Sequence, residues 1–308
     1  MSEPSARSGL MLRDELPLLA ALVSVVSWGA GPLVIRGVTA STPTMLLTRL
    51  AISVPVMVLI ANRTGGQVDR SLVRATALPA VLFFGSMALS FESIQHTSIA
   101  NQTVIGSLST IVVMMAAPRM LGERVVPVQL LLVVVGLAGT ALVVFGTGSF
   151  SGSGLFGDAL ACGGMLMWGA YVIVAKRART AGRNGWAFLA GNFGWSVLYS
   201  VPWAVVGGYD IQQLGPLDWT LVMTMVFVQG VAAHGLHAWS LRHLDATVSS
   251  LLTLGCPVIS ALGAYALYGE RLTHLQLAGA AMTLLSLAGV SVVARRARSF
   301  EPVAVATP

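Results

Sequence analysis

Long apolar stretches alternate with short polar segments along the whole of this 308-residue chain. Most of these stretches run for roughly 20 residues, the length that an α-helix needs to cross the hydrocarbon core of a bilayer. A helix satisfies its backbone hydrogen bonds within one segment, as lipid requires. The pattern predicts an all-α integral membrane protein with ten transmembrane helices, at residues 16–36, 44–62, 75–94, 98–118, 125–146, 156–176, 186–206, 218–240, 246–267 and 273–294.

The pattern also occurs twice. Residues 121–144 are similar to residues 268–293 at a shift of 147, and Gly-Glu-Arg stands in each copy, at 122–124 and at 269–271. Earlier in each half stands Trp-Gly-Ala, at 28–30 and at 168–170, a shift of 140. Pro127 suits a first helical turn, and Thr273 with Gln276 forms a capping box. A repeat near half the chain length is typical of transporters built from two copies of one membrane unit.

Each repeat holds five spans, and this odd number predicts that the two repeats insert with opposite orientation. The expected fold is therefore two inverted five-helix repeats. The predicted organisation is an N-terminal tail at 1–15, a first repeat at 16–146, a Gly/Ser-rich linker at 147–155, a second repeat at 156–294 and a C-terminal tail at 295–308.

The distribution of Lys and Arg predicts how the chain is oriented. With the N-terminus inside, fifteen of these residues lie in inner segments and two, Arg36 and Arg271, lie in outer ones. Cytoplasmic loops of membrane proteins carry this excess of positive charge. The bias predicts a multi-pass protein of the inner (plasma) membrane with both termini in the cytoplasm.

Composition supports the membrane assignment and excludes other classes. Hydrophobic residues make up 55% of the chain and charged residues 10%, whereas about a quarter of a soluble protein is charged. The net charge of +6 does not indicate nucleic acid, because the basic residues stand at the ends of apolar runs. The chain carries no phosphate loop, zinc signature or nucleophile motif, so we expect neither an enzyme nor a cofactor.

Glu92 is the unusual residue of the third span, because an ionisable group within a span is costly and usually faces a cavity or a partner. One interpretation makes it a cation-binding or proton-carrying carboxylate near the outer mouth, with His96 sharing the proton. The other makes it a helix-end residue at the interface. At the 147 shift Glu92 corresponds to Trp239, and we expect these two positions to line one cavity.

Several further side chains within spans are candidates for binding. Trp28 and Trp168 are repeat mates beside glycines, and either stack on a planar substrate or simply pack. His234 and His237, three apart on one helix face, favour cavity lining over a metal site. Arg49 is read as structural rather than as an anion site. The residues expected to bind substrate are Trp28, Glu92, His96, Asn101, Trp168, Tyr171, Gln229, His234 and Trp239.

The buried polar groups predict where a cavity lies. They occur on spans 1, 3, 4, 6, 8 and 9, which are expected to surround it. Spans 5 and 10 carry mostly aliphatic and glycine faces and are expected to be peripheral. The glycines of those two spans allow close helix packing, at Gly136, Gly139, Gly279 and Gly289.

Taken together, these marks resemble the EamA module of the drug/metabolite transporter superfamily, present twice over nearly the whole chain. The marks are Trp-Gly in each half, Arg49, Thr97-Ser98, Pro257 and the two Gly-Glu-Arg tripeptides. The resemblance implies ten helices, a cavity between the halves, and movement of small metabolites, often the efflux of amino acids or related compounds.

The chain departs from the family pattern at three positions. Thr110 stands where the family usually has a proline in span four, and Cys256 stands where an acidic residue often precedes the second proline. We therefore expect a hinge and a charge to be missing there. Glu92 stands where the family more often has an aromatic residue.

The sequence thus predicts a secondary transporter that moves a small organic metabolite, an amino acid or related compound, outward by alternating access. Its partners are expected to be a small-molecule substrate and the lipid bilayer, with proton coupling, no nucleic acid and no metal, as a monomer or homodimer. Two alternatives stay open. A lipid or lipid-precursor carrier would have a cavity open sideways to lipid, and a non-transporting membrane scaffold would have a solid interface between its halves.

Overall fold

A computed structural model describes residues 4–97, 99–146, 154–268 and 272–299, and these residues form helices joined by short turns. The second Gly-Glu-Arg tripeptide at 269–271, Ser98, residues 147–153 of the predicted linker and the end of the C-terminal tail lie outside the described residues. The α-helices are α1 (Pro4–Gly29), α2 (Gly31–Arg36), α3 (Thr42–Arg63), α4 (Arg70–His96), α5 (Ile99–Ser107), α6 (Ser109–Leu121), α7 (Pro127–Phe145), α8 (Leu155–Thr180), α9 (Gly185–Gly207), α10 (Pro216–Thr224), α11 (His234–Ser240), α12 (Ala246–Leu252), α13 (Cys256–Tyr268) and α14 (His274–Ser299).

Three helical segments of other types interrupt this series, the π-helix Met225–Ala233 and the 3₁₀ turns Ile211–Gln213 and Thr253–Gly255. Within the described residues nine helical segments are long and apolar enough to cross a membrane. The predicted span at 186–206 corresponds to α9, which is 23 residues long but is not among the nine. The all-helical membrane fold is therefore confirmed, and the count of ten spans stays a prediction. The nine segments are Leu16–Ile35, Thr42–Arg63, Arg70–His96, Gln102–Leu121, Pro127–Phe145, Leu155–Thr180, Pro216–Ser240, Ala246–Leu267 and His274–Val293.

Hydrogen bonds between loops and helix ends define two ends of the helical bundle. At one end Lys176 Nζ donates to the Leu244 carbonyl at 2.6 Å, and Arg177 Nε donates to the Met120 carbonyl at 3.0 Å. We call this the basic end; it comprises the turns at 64–69, 122–126, 181–184 and 241–245. The turns at 37–41, 97 and 208–215 form the far end, where Asp218 accepts bonds from the backbone N–H and hydroxyl of Thr39.

The main buried cluster lies between α3, α4, α8 and α9. Its largest fully buried side chains include Leu46, Met57, Phe83, Ile173 and Phe193. These residues come from both halves of the chain, so the two halves share one core.

The glycine of each Trp-Gly step lets two helices approach through their backbones. A Cβ added at Gly29 of α1 would lie 2.8 Å from the carbonyl oxygen of Cys256 in α13. A Cβ added at Gly169 of α8 would lie 3.4 Å from the carbonyl oxygen of Ser109 in α6. Gly29 and Gly169 are related by the shift of 140 residues, and Ser109 and Cys256 are related by the shift of 147. The two contacts are therefore equivalent in the repeat. The Trp-Gly repeat of the sequence thus corresponds to one repeated packing contact.

Helices α7 and α14 also pack closely at glycines, as the sequence predicts. A Cβ on Gly139 would lie 2.7 Å from the carbonyl oxygen of Gly279. A Cβ on Gly279 would lie 2.7 Å from Leu142 Cβ, and one on Gly289 would lie 2.5 Å from Leu132 Cδ2. At the shift of 147, Leu132 corresponds to Gly279 and Leu142 corresponds to Gly289. The two leucine–glycine contacts are therefore equivalent in the repeat.

The helix-start signals are confirmed. Thr273 accepts from the Gln276 N–H at 3.2 Å, and Gln276 Oε1 accepts from the Thr273 N–H at 2.9 Å. Its repeat mate Gln129 bonds the Val126 N–H at 3.0 Å, and Pro127 is the first residue of α7. Each of these bonds satisfies a backbone donor that the helix start leaves free.

Span four is interrupted although it lacks the proline that the family usually has there. The described helices break at Leu108, between α5 and α6, and again at Thr253–Gly255, directly before α13. These breaks lie at repeat-equivalent positions. Pro257 explains the second break, since proline interrupts a helix. In span four, Ser107 donates its hydroxyl to the Thr103 carbonyl four residues earlier, a bond that bends helices.

We predict that Gly139→Ala lowers the thermal unfolding midpoint of the purified protein by several degrees. Its methyl group would meet backbone atoms of α14, and overpacking of this kind costs about 1–3 kcal/mol. Gly194→Ala in α9 is the matched control, because nothing lies within 4 Å of its Cβ position. That control should hold or raise the midpoint. Equal midpoints for the two variants would contradict close packing of α7 on α14.

Candidate substrate cavity

A cavity of about 270 Å³ lies between the two halves. Its described lining comes from spans 1, 3, 4, 6, 8 and 9 and from Arg49 of span two, with no residue of α7 or α14. The predicted location is therefore confirmed, and Arg49 is added to it. The lining residues are Trp28, Gly29, Gly31, Pro32, Ile35, Arg49, Met87, Ser90, Phe91, Ile94, Gln102, Thr103, Gly106, Ser107, Ser109, Trp168, Gln229, His234, Thr253, Cys256, Pro257 and Ser260.

The deep wall of the cavity is built from aromatic rings around Trp28. The Trp28 ring centroid lies 5.5 Å from that of Trp168, edge to face, and 5.0 Å from that of His234. His237 lies behind them, 4.8 Å from Trp28. Tyr171 is buried behind Trp168 at 5.4 Å and does not line the cavity. Edge-to-face contacts of this kind hold rings in fixed positions.

The cavity extends from this aromatic wall toward the far end. Its lining includes Ile35 near the end of α2, Ile94 near the end of α4 and Gln102 in the first turns of α5. Toward the basic end a hydrogen bond joins two helices: Arg179 Nε of α8 donates to the Ala238 carbonyl of α11 at 2.9 Å. From this lining we infer that the cavity opens toward the far end and that the hydrogen-bonded basic end is closed.

Glu123 of the first Gly-Glu-Arg tripeptide contributes to this closure. Its carboxylate accepts hydrogen bonds from the backbone N–H groups of Ala246 at 2.7 Å and Thr247 at 3.2 Å. It thereby caps α12 of the second half, where the helix dipole favours negative charge. Burial raises the pKa of the Glu123 carboxyl above its usual value, and the hydrogen bonds from α12 oppose that rise. Glu123 therefore has a structural role, because its hydrogen bonds join the first half to α12 of the second half.

Arg49, which the sequence interpretation made structural, lies in the cavity wall. The side chain is 3% exposed, and Nε has no hydrogen-bond partner among the described residues. The guanidinium carbon lies 6.0 Å from the centroid of the Phe91 ring. This arrangement leaves a cationic donor directed at the cavity.

The π-helix Met225–Ala233 places a polar side chain in the cavity. Gln229 belongs to this π-helix and lines the cavity wall beside Gly31. A Cβ added at Gly31 would lie 3.6 Å from Gln229 Oε1. π-Helical turns are rare and occur frequently at functional sites. The hydropathy pattern of span eight gives no signal for one, because a single added residue per turn does not interrupt an apolar run.

Of the predicted site residues, the cavity brings together four, namely Trp28, Trp168, Gln229 and His234. Asn101 belongs to α5, and its side chain lies outside the described residues. Thr103, Ser107, Ser109 and Thr253 add polar groups that sequence reasoning missed. Their position next to the two helix breaks is the signal that could have identified them.

Glu92 and Trp239 do not share a cavity, contrary to expectation. Glu92 pairs with His96 at 3.3 Å, near the far end of α4, and both side chains are partly exposed. Trp239 lines a separate pocket at the basic end with Arg179 and Arg242. The inverted repeats that the sequence predicts would produce this separation, because their equivalent residues would lie at the same depth only near the middle of the membrane. Trp28 and Trp168 meet that condition, and Glu92 and Trp239 do not.

Comparisons with known proteins agree with this architecture. A model of the EamA-like transporter family matches residues 16–145 and 155–292. A relative from Archaeoglobus fulgidus, named as an uncharacterized transporter, is 25% identical over 276 residues, which cover 90% of this chain and 95% of the relative. A solved crystal structure superposes with a TM-score of 0.76 at 18% identity, covering 91% of this chain and 98% of the other. At that identity the likeness shows the fold alone.

We predict that Gly106→Cys, in a Cys162→Ser/Cys256→Ser background, reacts rapidly with a membrane-impermeant thiol reagent applied at the far end. Gly106 lines the cavity, and the nearest atom to its Cβ position is 3.9 Å away. Ser86→Cys is the control, because Ser86 is buried and does not line the cavity. Equal modification of the two variants, or faster modification of Gly106→Cys from the basic end, would refute the described opening.

Proposed function

The chain belongs to the EamA-like transporter family and is a multi-pass membrane transporter for small molecules, not an enzyme, and from that premise we propose a mechanism of alternating access. A small organic metabolite enters the cavity between the halves, and the halves then close the far end and open the basic end. The observation that carries the proposal is the cavity itself, whose lining reaches toward the far end while a hydrogen bond joins α8 to α11 toward the basic end.

Two inverted five-helix repeats, at 16–146 and 156–294, form the moving parts in this proposal. Its support is the reciprocity of the contacts. The approach of Gly29 to the Cys256 carbonyl has its counterpart in Gly169 and Ser109, and the contacts between α7 and α14 exchange in the same way. A two-fold axis in the membrane plane produces such pairs, and rocking about it exposes the cavity to each side in turn.

The proposed orientation places the basic end, the tails at 1–15 and 295–308, and hence both termini, in the cytoplasm of a cell bounded by the inner membrane. Its support is the concentration of Lys and Arg at that end. Export, and a substrate among amino acids or related compounds, follow from the family resemblance. The cavity favours transport over the scaffold alternative, which requires a solid interface.

Cysteine labelling tests the proposed orientation in the same cysteine-free background. Gln212 lies in the 3₁₀ turn at the far end, and Thr180 ends α8 at the basic end; both are exposed. We predict that Gln212→Cys reacts with an impermeant reagent added outside cells, whereas Thr180→Cys reacts only after the membrane is permeabilised. Reaction of both from one side would eliminate the inverted arrangement.

We further propose that the Glu92–His96 pair carries the coupling proton. The two side chains are 3.3 Å apart beside the lining residues Phe91 and Ile94. A carboxylate and an imidazole are both able to hold a proton, and the two side chains are partly exposed. A proton held there is in exchange with the far-end solution.

We predict that Glu92→Gln leaves the protein folded and inserted but abolishes proton-driven transport, because the amide cannot release a proton. Flux of a compound first identified by thermal shift should be measured in proteoliposomes as a function of pH. Glu92→Asp, which keeps the titratable group, serves as the control and should retain pH-dependent flux. Wild-type rates with an unchanged pH profile in Glu92→Gln would make Glu92 an ordinary interfacial residue.

A further inference from the structure

We propose that the cavity selects an organic anion, a compound with one carboxylate and an apolar body, through the guanidinium of Arg49 and the indole N–H of Trp28. This inference rests on the proposed transport function and specifies the substrate class. It differs from the amino acids implied by the family resemblance, because those carry an ammonium group as well.

The first observation is the charge of the cavity. Arg49 is the charged residue among its described lining, and no aspartate or glutamate accompanies it there. Nε of the guanidinium has no hydrogen-bond partner among the described residues, although the residue is 97% buried from solvent. Buried charges in proteins are normally paired, because an isolated charge loses its hydration. The missing partner is therefore an anion supplied from outside the chain.

The second observation is that the unpartnered polar groups of the cavity residues are both hydrogen-bond donors. Trp28 lines the same cavity, and its buried Nε1 has no hydrogen-bond partner among the described residues. An indole N–H and a guanidinium N–H can only donate. Two free donors in one wall require an acceptor. The other unpartnered buried atoms, on Asn192 and His237, belong to residues that do not line the cavity.

A carboxylate fits these donors better than the other common anions. Its two oxygens match the planar fork of a guanidinium, and each carries spare acceptor capacity for the indole N–H. A phosphate at neutral pH carries nearly two charges and calls for a second cation, which the described lining does not provide. The apolar part of the ligand would lie among Trp168, Met87 and Phe91.

The same features disfavour a positive group on the ligand. An ammonium would have no carboxylate to pair with among the described lining residues, and Arg49 would repel it. Glu92 lies outside the lining and is engaged with His96. The cavity therefore favours a simple anion over a zwitterion, and a zwitterion over a cation.

The test compares ligands that differ in charge and hardly in shape. Purified protein is titrated with benzoate, phenylacetate and indole-3-acetate, with the amide of each, and with benzylamine and phenethylamine, and binding is followed by calorimetry and thermal shift. We expect at least one carboxylate to bind at least about tenfold more tightly than its amide, the difference that one charge-assisted bond supplies. Failure of every carboxylate to exceed its amide, or tighter binding of an amine, overturns the proposal.

Single-residue variants test which side chain distinguishes a carboxylate from its amide. Arg49→Met removes the charge and should make carboxylate and amide bind alike, whereas Arg49→Lys should keep part of the preference. Trp28→Phe keeps the ring and loses the N–H, and should weaken carboxylate binding alone. Arg63→Met removes a charge at the basic end and should change nothing. A carboxylate preference that survives in Arg49→Met overturns the assignment of Arg49.

Flux measurements separate this inference from the proposed function. Proteoliposomes are loaded with the carboxylate that binds, and release is compared with protein-free vesicles. Binding that depends on Arg49, without protein-dependent release, supports the anion site and overturns transport. Protein-dependent release of an amide or amine that is insensitive to Arg49→Met supports transport and overturns the anion class.

Discussion

The structure depends on holding helices together in a solvent where apolar contact between them gains little. Lipid tails are as apolar as leucine, so helices in a bilayer associate through close packing of small residues and through hydrogen bonds. The Trp-Gly steps meet this constraint and create the cavity at the same place. Gly29 and Gly169 bring backbones together, and the preceding tryptophans fill the space beside the contact with the rings that form the cavity wall.

Hydropathy and the internal repeat predicted much of this arrangement, because both depend on the spacing of residues along the chain. The length of the apolar runs identified the spans, and the capping residues Thr273 and Gln276 identified a helix start. Trp28, Trp168 and His234 were recognised as cavity residues because polar and aromatic groups in mid-span have few reasons to face lipid. The glycines between α7 and α14 were recognised in the same way.

The remaining features depend on depth and direction, which the sequence does not specify. Glu92 and Trp239 match in the repeat but lie at opposite ends. The proposed inversion of the repeats would place them so, because it reverses every distance from the membrane centre. Arg49 was read as structural because its neighbours along the chain do not reveal that it lines the cavity with an unpartnered Nε. The break at Leu108 arises from hydroxyl groups rather than from the proline that usually marks one.

The packing of α7 on α14 has a consequence for how far the two halves have diverged. Leu142 stands against Gly279 and Leu132 against Gly289, so each large side chain meets a small one across the interface. Residues 132 and 279 are equivalent positions, as are 142 and 289. Two copies of the first half would therefore set leucine against leucine, and two copies of the second would leave glycine facing glycine. The two surfaces are therefore complementary in size only when one half packs against the other.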